Sequence, residues 1–210
     1  MENKKAVLIV TAPSQLNFDR YNNEQFFIIG VERGCLDLIE KKIRLDLAIS
    51  DFDQVLPEEL ALIKNYALEF SQLNLDKDWL DGLVALETAR KLFPQTPIKF
   101  VAKPTKRYDM NLSILDIMNQ YDDVEIFNEY SLIKKIPAGT REIDFNNFQE
   151  MTYLSFFSLK DNNHLILENL VYPYQGTLDV FSTRCISNAF VAYQNPKITN
   201  SEPLVVIMSK

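Results

Sequence analysis

The chain has 210 residues, a net charge of −7, 47% hydrophobic residues and 24% charged residues. This composition is typical of a globular protein with one large domain or two small ones. The acidic balance argues against nucleic acid or an anionic membrane as a partner, because neither would attract the chain electrostatically.

Segments for export or membrane insertion are not expected. No apolar run approaches the roughly 20 residues that a transmembrane helix needs. The apolar stretch Ala6–Val10 is too short for a signal peptide. Cys35 and Cys185 are too few for a disulfide framework and are expected to be free thiols. We therefore expect a cytoplasmic protein.

The first 130 residues alternate short apolar runs with longer helical patterns, which is typical of β-α units around a parallel sheet. Strands are predicted at residues 6–10, 26–29, 45–50, 98–102 and 124–127. Helices are predicted at residues 31–42, from Pro57 onward, at 79–93 and at 109–121.

The pattern changes after that point to short runs of period two separated by turn residues. Strands are predicted at residues 132–136, 153–157, 164–167, 177–181, 190–193 and 204–208. This spacing indicates an antiparallel β-sandwich or barrel. We therefore predict an α/β protein that continues as all-β: a mostly parallel, Rossmann-like α/β sandwich at residues 1–130, and a β-sandwich or barrel at 131–210.

Four common kinds of site are not expected from the glycines and the histidine of this sequence. The five glycines form neither the dinucleotide-binding fingerprint nor a Walker A loop, so any nucleotide must be held in another way. His164 is the only histidine, so neither a histidine-based triad nor a multi-histidine metal site is expected.

Asp51 and Asp53 directly follow a predicted buried strand. Ligands of open α/β sheets bind at the carboxyl ends of strands. Residues two apart on an extended chain point to the same side, so the two carboxylates can converge. Paired carboxylates beside substrate phosphates are a usual way to hold Mg²⁺. An exposed acidic turn is the alternative.

Two further charged segments are weaker signals. Asp78 and Asp81 are three residues apart and share a face if this segment is helical, although acids in a first helical turn are also favoured by the helix dipole. Lys103, Lys106 and Arg107 follow a predicted strand and can contact phosphate. A solvated charged loop is the alternative for this second segment.

Taken together, these motifs resemble those of the thiamine pyrophosphokinases. The run from Gly30 to Gly34 resembles the family pattern Gly-Val-Asp-[Arg/Lys]-Gly, with Glu32 in place of Asp. The run from Ser50 to Gln54 resembles Gly-Asp-Phe-Asp-Ser, and it keeps both acids while losing the flanking Gly and Ser.

The other motifs are also partly preserved. Asp76–Asp81 resembles Glu-Lys-Asp-x-Thr-Asp, with Leu80 in place of Thr. Thr105–Met110 resembles Gly-Gly-Arg-x-Asp-His but keeps only the Arg and the Asp. In the β half, the segment Ser182–Asn188 resembles the family's Ser-Asn segment, and Tyr172-Pro173 precedes it as in the family.

The resemblance implies transfer of pyrophosphate from ATP to the hydroxyl group of thiamine, with Mg²⁺, to give thiamine diphosphate and AMP. It implies catalytic and metal-binding roles for Asp51, Asp53, Asp78 and Asp81. It implies ATP contacts by Glu32, Lys77, Lys106, Arg107 and Asp109. It implies thiamine contacts by Ser187 and Asn188. Residues 1–130 would bind ATP and Mg²⁺, residues 131–210 would bind thiamine, and the protein would be a homodimer.

Two alternatives to this enzyme stay open. A catalytically weakened relative could bind thiamine or a nucleotide as a regulatory protein, and the lost glycines favour that hypothesis. A kinase could act on another small alcohol, such as a pterin. The retained carboxylates favour an enzyme, because a protein without catalysis has no need to keep six acids in register.

Overall fold

The computed structural model describes residues 4–74 and 79–210, which form two compact units. The first unit runs up to Pro104 and includes Ile126–Glu129. The second contains Thr105–Glu125 and Tyr130–Lys210. Residues 105–125 thus belong to the second unit and residues 126–129 to the first. The predicted domain boundary at residue 130 stays a prediction.

Parallel strands form the centre of the first unit. Their order is β5-β1-β2-β3-β4, and every neighbouring pair is parallel. Their bounds are Ala6–Val10 (β1), Phe26–Gly30 (β2), Leu47–Ser50 (β3), Glu69–Gln72 (β4) and Ile98–Val101 (β5). The sequence pattern missed β4, because this edge strand has no buried residue and therefore no apolar run. Strand β6 (Val124–Phe127) follows β5 in the order.

Helices cover both faces of this sheet. The helices are α1 (Arg33–Glu40), α2 (Pro57–Tyr66) and α3 (Asp81–Leu92). Phe26 and Ile28 of β2 join the apolar cluster that contains Leu38 of α1. Phe27 lies on the opposite face and contacts Phe93, just after α3, with ring centroids 4.9 Å apart. Because both faces are covered, β1 is buried at every position.

The second unit contains the helix α4 (Tyr108–Gln120) and eight strands, which pair antiparallel in two groups of four. One group has the order β12-β9-β14-β7, and the other is the four-stranded sheet β11-β10-β13-β8. The strands are Ser131–Ile136 (β7), Gly139–Glu142 (β8), Tyr153–Ser158 (β9), Asn163–Glu168 (β10), Tyr174–Leu178 (β11), Asn188–Ala189 (β12), Lys197–Asn200 (β13) and Leu204–Ser209 (β14). Alternate residues of β9 and β10, such as Phe156 and Leu165, enter a shared core, as a sandwich requires.

The predicted fold class is confirmed, but some predicted strands were wrong. Residues 190–193 are not a strand: Tyr193 is fully exposed and has a φ of 62°. The strand predicted at 177–181 begins three residues earlier, at Tyr174. Strands β8 and β13 were missed because, of their residues, only Ile198 is apolar. Among the described helices, none has the length and apolar character that a membrane span requires.

Candidate functional site

Three carboxylates converge at the carboxyl-terminal edge of the parallel sheet. One carboxylate oxygen from each of Glu32, Asp51 and Asp53 lies within 4.8 Å of the others. Glu32 follows β2 and is buried, Asp51 follows β3 and is half-buried, and Asp53 is exposed. We call these three residues the acidic cluster. The sequence predicted that Asp51 and Asp53 would meet here, whereas Glu32 was expected only as an ATP contact.

A tight turn at Phe52 brings the two aspartates together. The backbone of Phe52 has a left-handed conformation, with a φ of 59°. The expectation that the Asp51 and Asp53 carboxylates converge from an extended chain was therefore wrong. Its buried ring stacks on Phe70, with ring centroids 4.9 Å apart. The backbone N–H of Asp53 donates to the Asp51 carboxylate over 3.2 Å. Burial of the aromatic ring therefore holds the turn that presents the acids.

The backbone at Glu32 is unusual as well. Glu32 has a φ of 50°, a conformation that costs a non-glycine residue on the order of 1 kcal/mol or more. It lies where the chain enters α1, and α1 approaches β1 closely: a Cβ on Gly34 would lie 2.1 Å from the carbonyl oxygen of Val10. The close approach of helix to strand thus requires this glycine and places Glu32 at the sheet edge.

Glu32 and Arg33 stabilise the turn at Gln54 by hydrogen bonds to its backbone. The Gln54 N–H donates to Glu32 Oε2 over 3.3 Å, and the Gln54 carbonyl accepts from Arg33 Nη1 over 3.2 Å. Arg33 also pairs with Glu59 of α2 at 3.3 Å. Because these contacts use the Gln54 backbone, loss of the family's Ser at this position does not remove them. Sequence reasoning missed this role of Arg33.

Burial raises the pKa of Glu32 above its ordinary value, because removal from water penalises the charged form. Hydrogen bonds from Ser50 and from backbone N–H groups oppose this shift. The nearby Asp51 charge raises the pKa further. A cation bound here would offset both the burial and the like-charge repulsion. The hard oxygen donors of the acidic cluster suit Mg²⁺, so the residues present fit this ion.

Asp81 lies beside the acidic cluster, because its carboxylate and that of Glu32 both contact the Ser50 hydroxyl. It is the first residue of α3, and its Oδ2 atom is 2.9 Å from the Ser50 hydroxyl. The helix predicted at residues 79–93 therefore begins two residues later than expected, and Trp79 is exposed in the preceding segment. The predicted ligand Asp78 and the predicted ATP contact Lys77 lie outside the described residues.

The predicted phosphate-binding loop belongs to the second unit. Arg107 precedes α4, and both its Nη2 (2.5 Å) and its Nε (3.3 Å) donate to the Asp109 carboxylate. This bidentate pair lowers the pKa of Asp109 and is mostly exposed. Asn111 holds the loop from α4, because its amide accepts from the Thr105 N–H over 2.8 Å and donates to the Thr105 carbonyl over 2.9 Å.

Sequence reasoning missed Asn111, which supports a loop that has lost the two glycines of the family pattern. The two lysines of this region differ. Lys106 is exposed. Lys103 belongs to the first unit and pairs with Glu129 at 3.1 Å.

Ser187 and Asn188, the predicted thiamine contacts, lie in the second unit. Ser187 is exposed, with a φ of 54°. Asn188 is buried, and its side chain pairs with the backbone of Tyr172: the amide nitrogen donates to the carbonyl over 2.7 Å, and the oxygen accepts from the N–H over 3.0 Å. The Asn188 amide thus holds the Tyr172 segment beside Ser187.

Known proteins resemble the chain in sequence and in structure. The family model "Thiamin pyrophosphokinase, vitamin B1 binding domain" matches residues 140–205. Thiamine pyrophosphokinase from Bacillus subtilis is 25% identical over 177 residues, which cover 81% of each protein.

Solved structures resemble nearly the whole chain. A thiamin pyrophosphokinase family protein from Enterococcus faecalis has a TM-score of 0.83 at 22% identity, covering 98% of this chain and 99% of its own. The Bacillus subtilis enzyme has a TM-score of 0.81 at 24% identity, with the same coverage. Thiamin pyrophosphokinase from Candida albicans has a TM-score of 0.73 at 15% identity, covering 98% of this chain and 89% of its own.

At these identities the solved structures establish the fold, an α/β part followed by a β-sandwich. The resemblance to thiamine pyrophosphokinases that the motifs predicted is confirmed by a family model, a sequence relative and solved structures. None of these comparisons favours the alternative of a binding or regulatory protein. The assignment of roles to single residues stays a prediction.

Proposed function

We propose that this chain is a thiamine pyrophosphokinase, which transfers pyrophosphate from ATP to the hydroxyl group of thiamine and releases AMP. The observation that carries the proposal is the acidic cluster, in which two separate family motifs meet at one edge of the sheet. The matches to thiamine pyrophosphokinases in sequence and fold support the substrates.

The acidic cluster is the proposed magnesium site, with Asp81 beside it and Asp78 as a further ligand expected from the motif. Bound Mg²⁺ supplies charge neutralisation and orientation of the phosphate oxygens. The protein holds these carboxylates at the site through the Phe52 turn and the Gln54 backbone contacts. Carboxylates held in place before the substrate arrives need little rearrangement during the reaction.

Positively charged groups would bind the rest of the polyphosphate. We assign Arg107 to this role, with Lys77 and Lys106, because a planar guanidinium can bind two phosphate oxygens at once. In the described structure Asp109 orients the Arg107 guanidinium through two hydrogen bonds. Glu32 and Asp109 then act in ATP binding through the cation and the arginine, respectively.

In the reaction, the thiamine hydroxyl oxygen forms a bond to the β-phosphorus of ATP while the bond from that phosphorus to the α-phosphate bridging oxygen breaks. The hydroxyl proton is released, and AMP leaves with the bridging oxygen. We assign Asp81 or Asp78 to orient this hydroxyl or to take its proton. Phosphoryl transfer asks mainly for positioning and charge neutralisation, which matches a site made of acids and cations.

The β-sandwich is the proposed thiamine-binding part, with Ser187 and Asn188 at the ligand. Support comes from the vitamin B1-binding family model, which matches residues 140–205. Asn188 would act by holding the Tyr172 segment beside Ser187.

We further propose a homodimer in the cytoplasm. The second unit exposes large apolar side chains, including Tyr172, Phe181 and Tyr193, of the kind that self-association covers. Cys35 and Cys185 are both free thiols, as a reducing compartment favours. Light scattering on the purified protein should give twice the chain mass of 24.4 kDa. A monomer at micromolar concentration would overturn the dimer.

One assay tests the proposed activity. The protein is incubated with Mg²⁺, ATP and thiamine, and the products are separated by chromatography. Thiamine diphosphate and AMP in equal amounts are expected. ADP as the product would indicate transfer of a single phosphoryl group. Saturable thiamine binding by calorimetry without any turnover would favour a binding protein instead.

A further inference from the structure

Ser50 connects two carboxylates that come from different parts of the first unit. It is the last residue of β3 and is fully buried. Its hydroxyl is within hydrogen-bonding distance of Glu32 Oε1, and it lies 2.9 Å from Asp81 Oδ2. The backbone N–H of Phe52 donates to the same hydroxyl over 3.3 Å. One side chain thus joins the ends of β2 and β3 to the start of α3.

The chemistry of this contact is restrictive. A hydroxyl carries a single proton, and here two acceptor carboxylates, Glu32 and Asp81, lie on the same hydroxyl oxygen. The hydroxyl can donate to only one of these carboxylates at a time, so Glu32 and Asp81 share one donor at the edge of the acidic cluster.

We propose that Ser50 is a positioning residue that orders Glu32 and Asp81 for the divalent cation. Glu32 belongs to the acidic cluster and Asp81 lies beside it, so a change at Ser50 acts on the cation through both residues. The inference rests on the proposed function for the use of the cation in catalysis. Binding of the cation itself is measured separately.

The test measures Mn²⁺ binding to the full-length, metal-free protein without ATP or thiamine. Free Mn²⁺ is followed by electron paramagnetic resonance, with Mn²⁺ standing in for Mg²⁺. Loss of a hydrogen bond to a metal ligand usually weakens metal affinity by 10-fold or more. We therefore expect Ser50→Ala to raise the Kd for Mn²⁺ by about 10-fold. Ser50→Gly, which also removes the hydroxyl, should raise the Kd for Mn²⁺ as well.

Ser71→Ala is the matched control, because it removes a hydroxyl from the neighbouring strand β4, opposite Ile49 in the register. It should leave the Kd for Mn²⁺ unchanged. Melting temperatures are measured for all variants, and a Ser50→Ala variant that does not fold is replaced by Ser50→Gly. A lower melting temperature with an unchanged Kd would mean a merely structural serine and would overturn the proposal. Unchanged or tighter Mn²⁺ binding by Ser50→Ala would also overturn the proposal, and so would a lack of Mn²⁺ binding by the original protein.

Turnover distinguishes this inference from the proposed function. Mn²⁺ binding that depends on Ser50, in a protein that makes no thiamine diphosphate, would retain the inference and remove the function. Turnover by a protein whose Mn²⁺ affinity does not depend on Ser50 would retain the proposed function and remove the inference. If both hold, the half-saturating Mg²⁺ concentration of Ser50→Ala should also rise about 10-fold.

Discussion

The two units hold their predicted site residues in different ways. In the first unit, Glu32, Asp51 and Asp53 come from segments after two different strands, and a buried serine and a buried aromatic ring support them. In the second unit, the contacts that support Arg107 and its loop join residues within the segment 105–111.

The acidic cluster and the loop before α4 are therefore stabilised by contacts of different range. The acidic cluster depends on long-range packing, so its geometry is maintained by the core of the first unit. The loop before α4 depends on local, exposed contacts, which contribute little to stability and are easily rearranged by a ligand. We therefore expect changes in the acidic cluster to affect cation use and catalysis, and changes in the loop to affect ATP binding.

The largest effect is expected from Asp53→Asn. The exposed Asp53 carboxylate is a proposed cation ligand, and a bound metal supplies several kcal/mol of charge stabilisation in the transition state. The rate of thiamine diphosphate formation should fall by roughly 10²–10³-fold, with little change in melting temperature. Glu58→Gln, an exposed acid at the start of α2, is the charge-matched control and should retain turnover. Near-normal turnover by Asp53→Asn would remove the acidic cluster from the mechanism.

Asn188→Ala should give the largest effect in the second unit, and the effect should be on stability. The buried amide makes two hydrogen bonds with the Tyr172 backbone, so alanine removes both bonds and leaves a space where the amide was packed. A loss of about 2 kcal/mol should lower the melting temperature by roughly 4–8 °C. Truncation of the exposed Asn119 to alanine is the control. A higher KM for thiamine at an unchanged melting temperature would instead indicate direct contact.

Arg107→Lys should have a smaller effect, confined to ATP. Lysine keeps the charge but loses the bidentate geometry that Asp109 orients. The KM for ATP should rise about 5-fold, corresponding to roughly 1 kcal/mol, and the melting temperature should not change because the pair is exposed. Arg20→Lys, an exposed arginine outside the motifs, controls for the substitution. A large fall in melting temperature would show that the loop is not supported locally.

The smallest effect concerns the pH dependence of stability. Because burial raises the pKa of Glu32, the folded protein binds a proton there more tightly than the unfolded chain does. The resulting stability cost is absent below the ordinary pKa of about 4.5 and is fully present above the raised value. In metal-free buffer at pH 7, Glu32→Gln should therefore melt at a slightly higher temperature than the original protein. This advantage should shrink as the pH falls towards 4.5.

Glu59→Gln is the control, because the pKa of Glu59 is lowered whereas that of Glu32 is raised. The Leu56 N–H and Arg33 lower the pKa of Glu59, so its contribution to stability is present above the ordinary pKa and is lost as the pH falls through the lowered value. That variant should be less stable than the original protein at neutral pH. A Glu32→Gln variant that is also less stable at pH 7 would show that hydrogen bonds to the charged form outweigh its burial.

Elements with strong periodicity were predictable from the sequence, and elements with polar composition were not. Strand β1 and the helix from Pro57 were recognised from buried apolar runs and from a proline in the first turn. Strands β4, β8 and β13 were missed because their stability comes from hydrogen bonds to neighbouring strands, which leave little trace in composition.

The motifs in the sequence determined which acids belong to the candidate site, because their order and spacing resemble those of thiamine pyrophosphokinases. The place of Asp51 and Asp53 after a buried strand also predicted that they would meet. Only the tertiary structure decided that Glu32 joins them, that the turn at Phe52 is left-handed, and that Ser50 connects Glu32 to Asp81. These contacts join residues distant in sequence, whose distances are set by how helices and strands pack around the sheet.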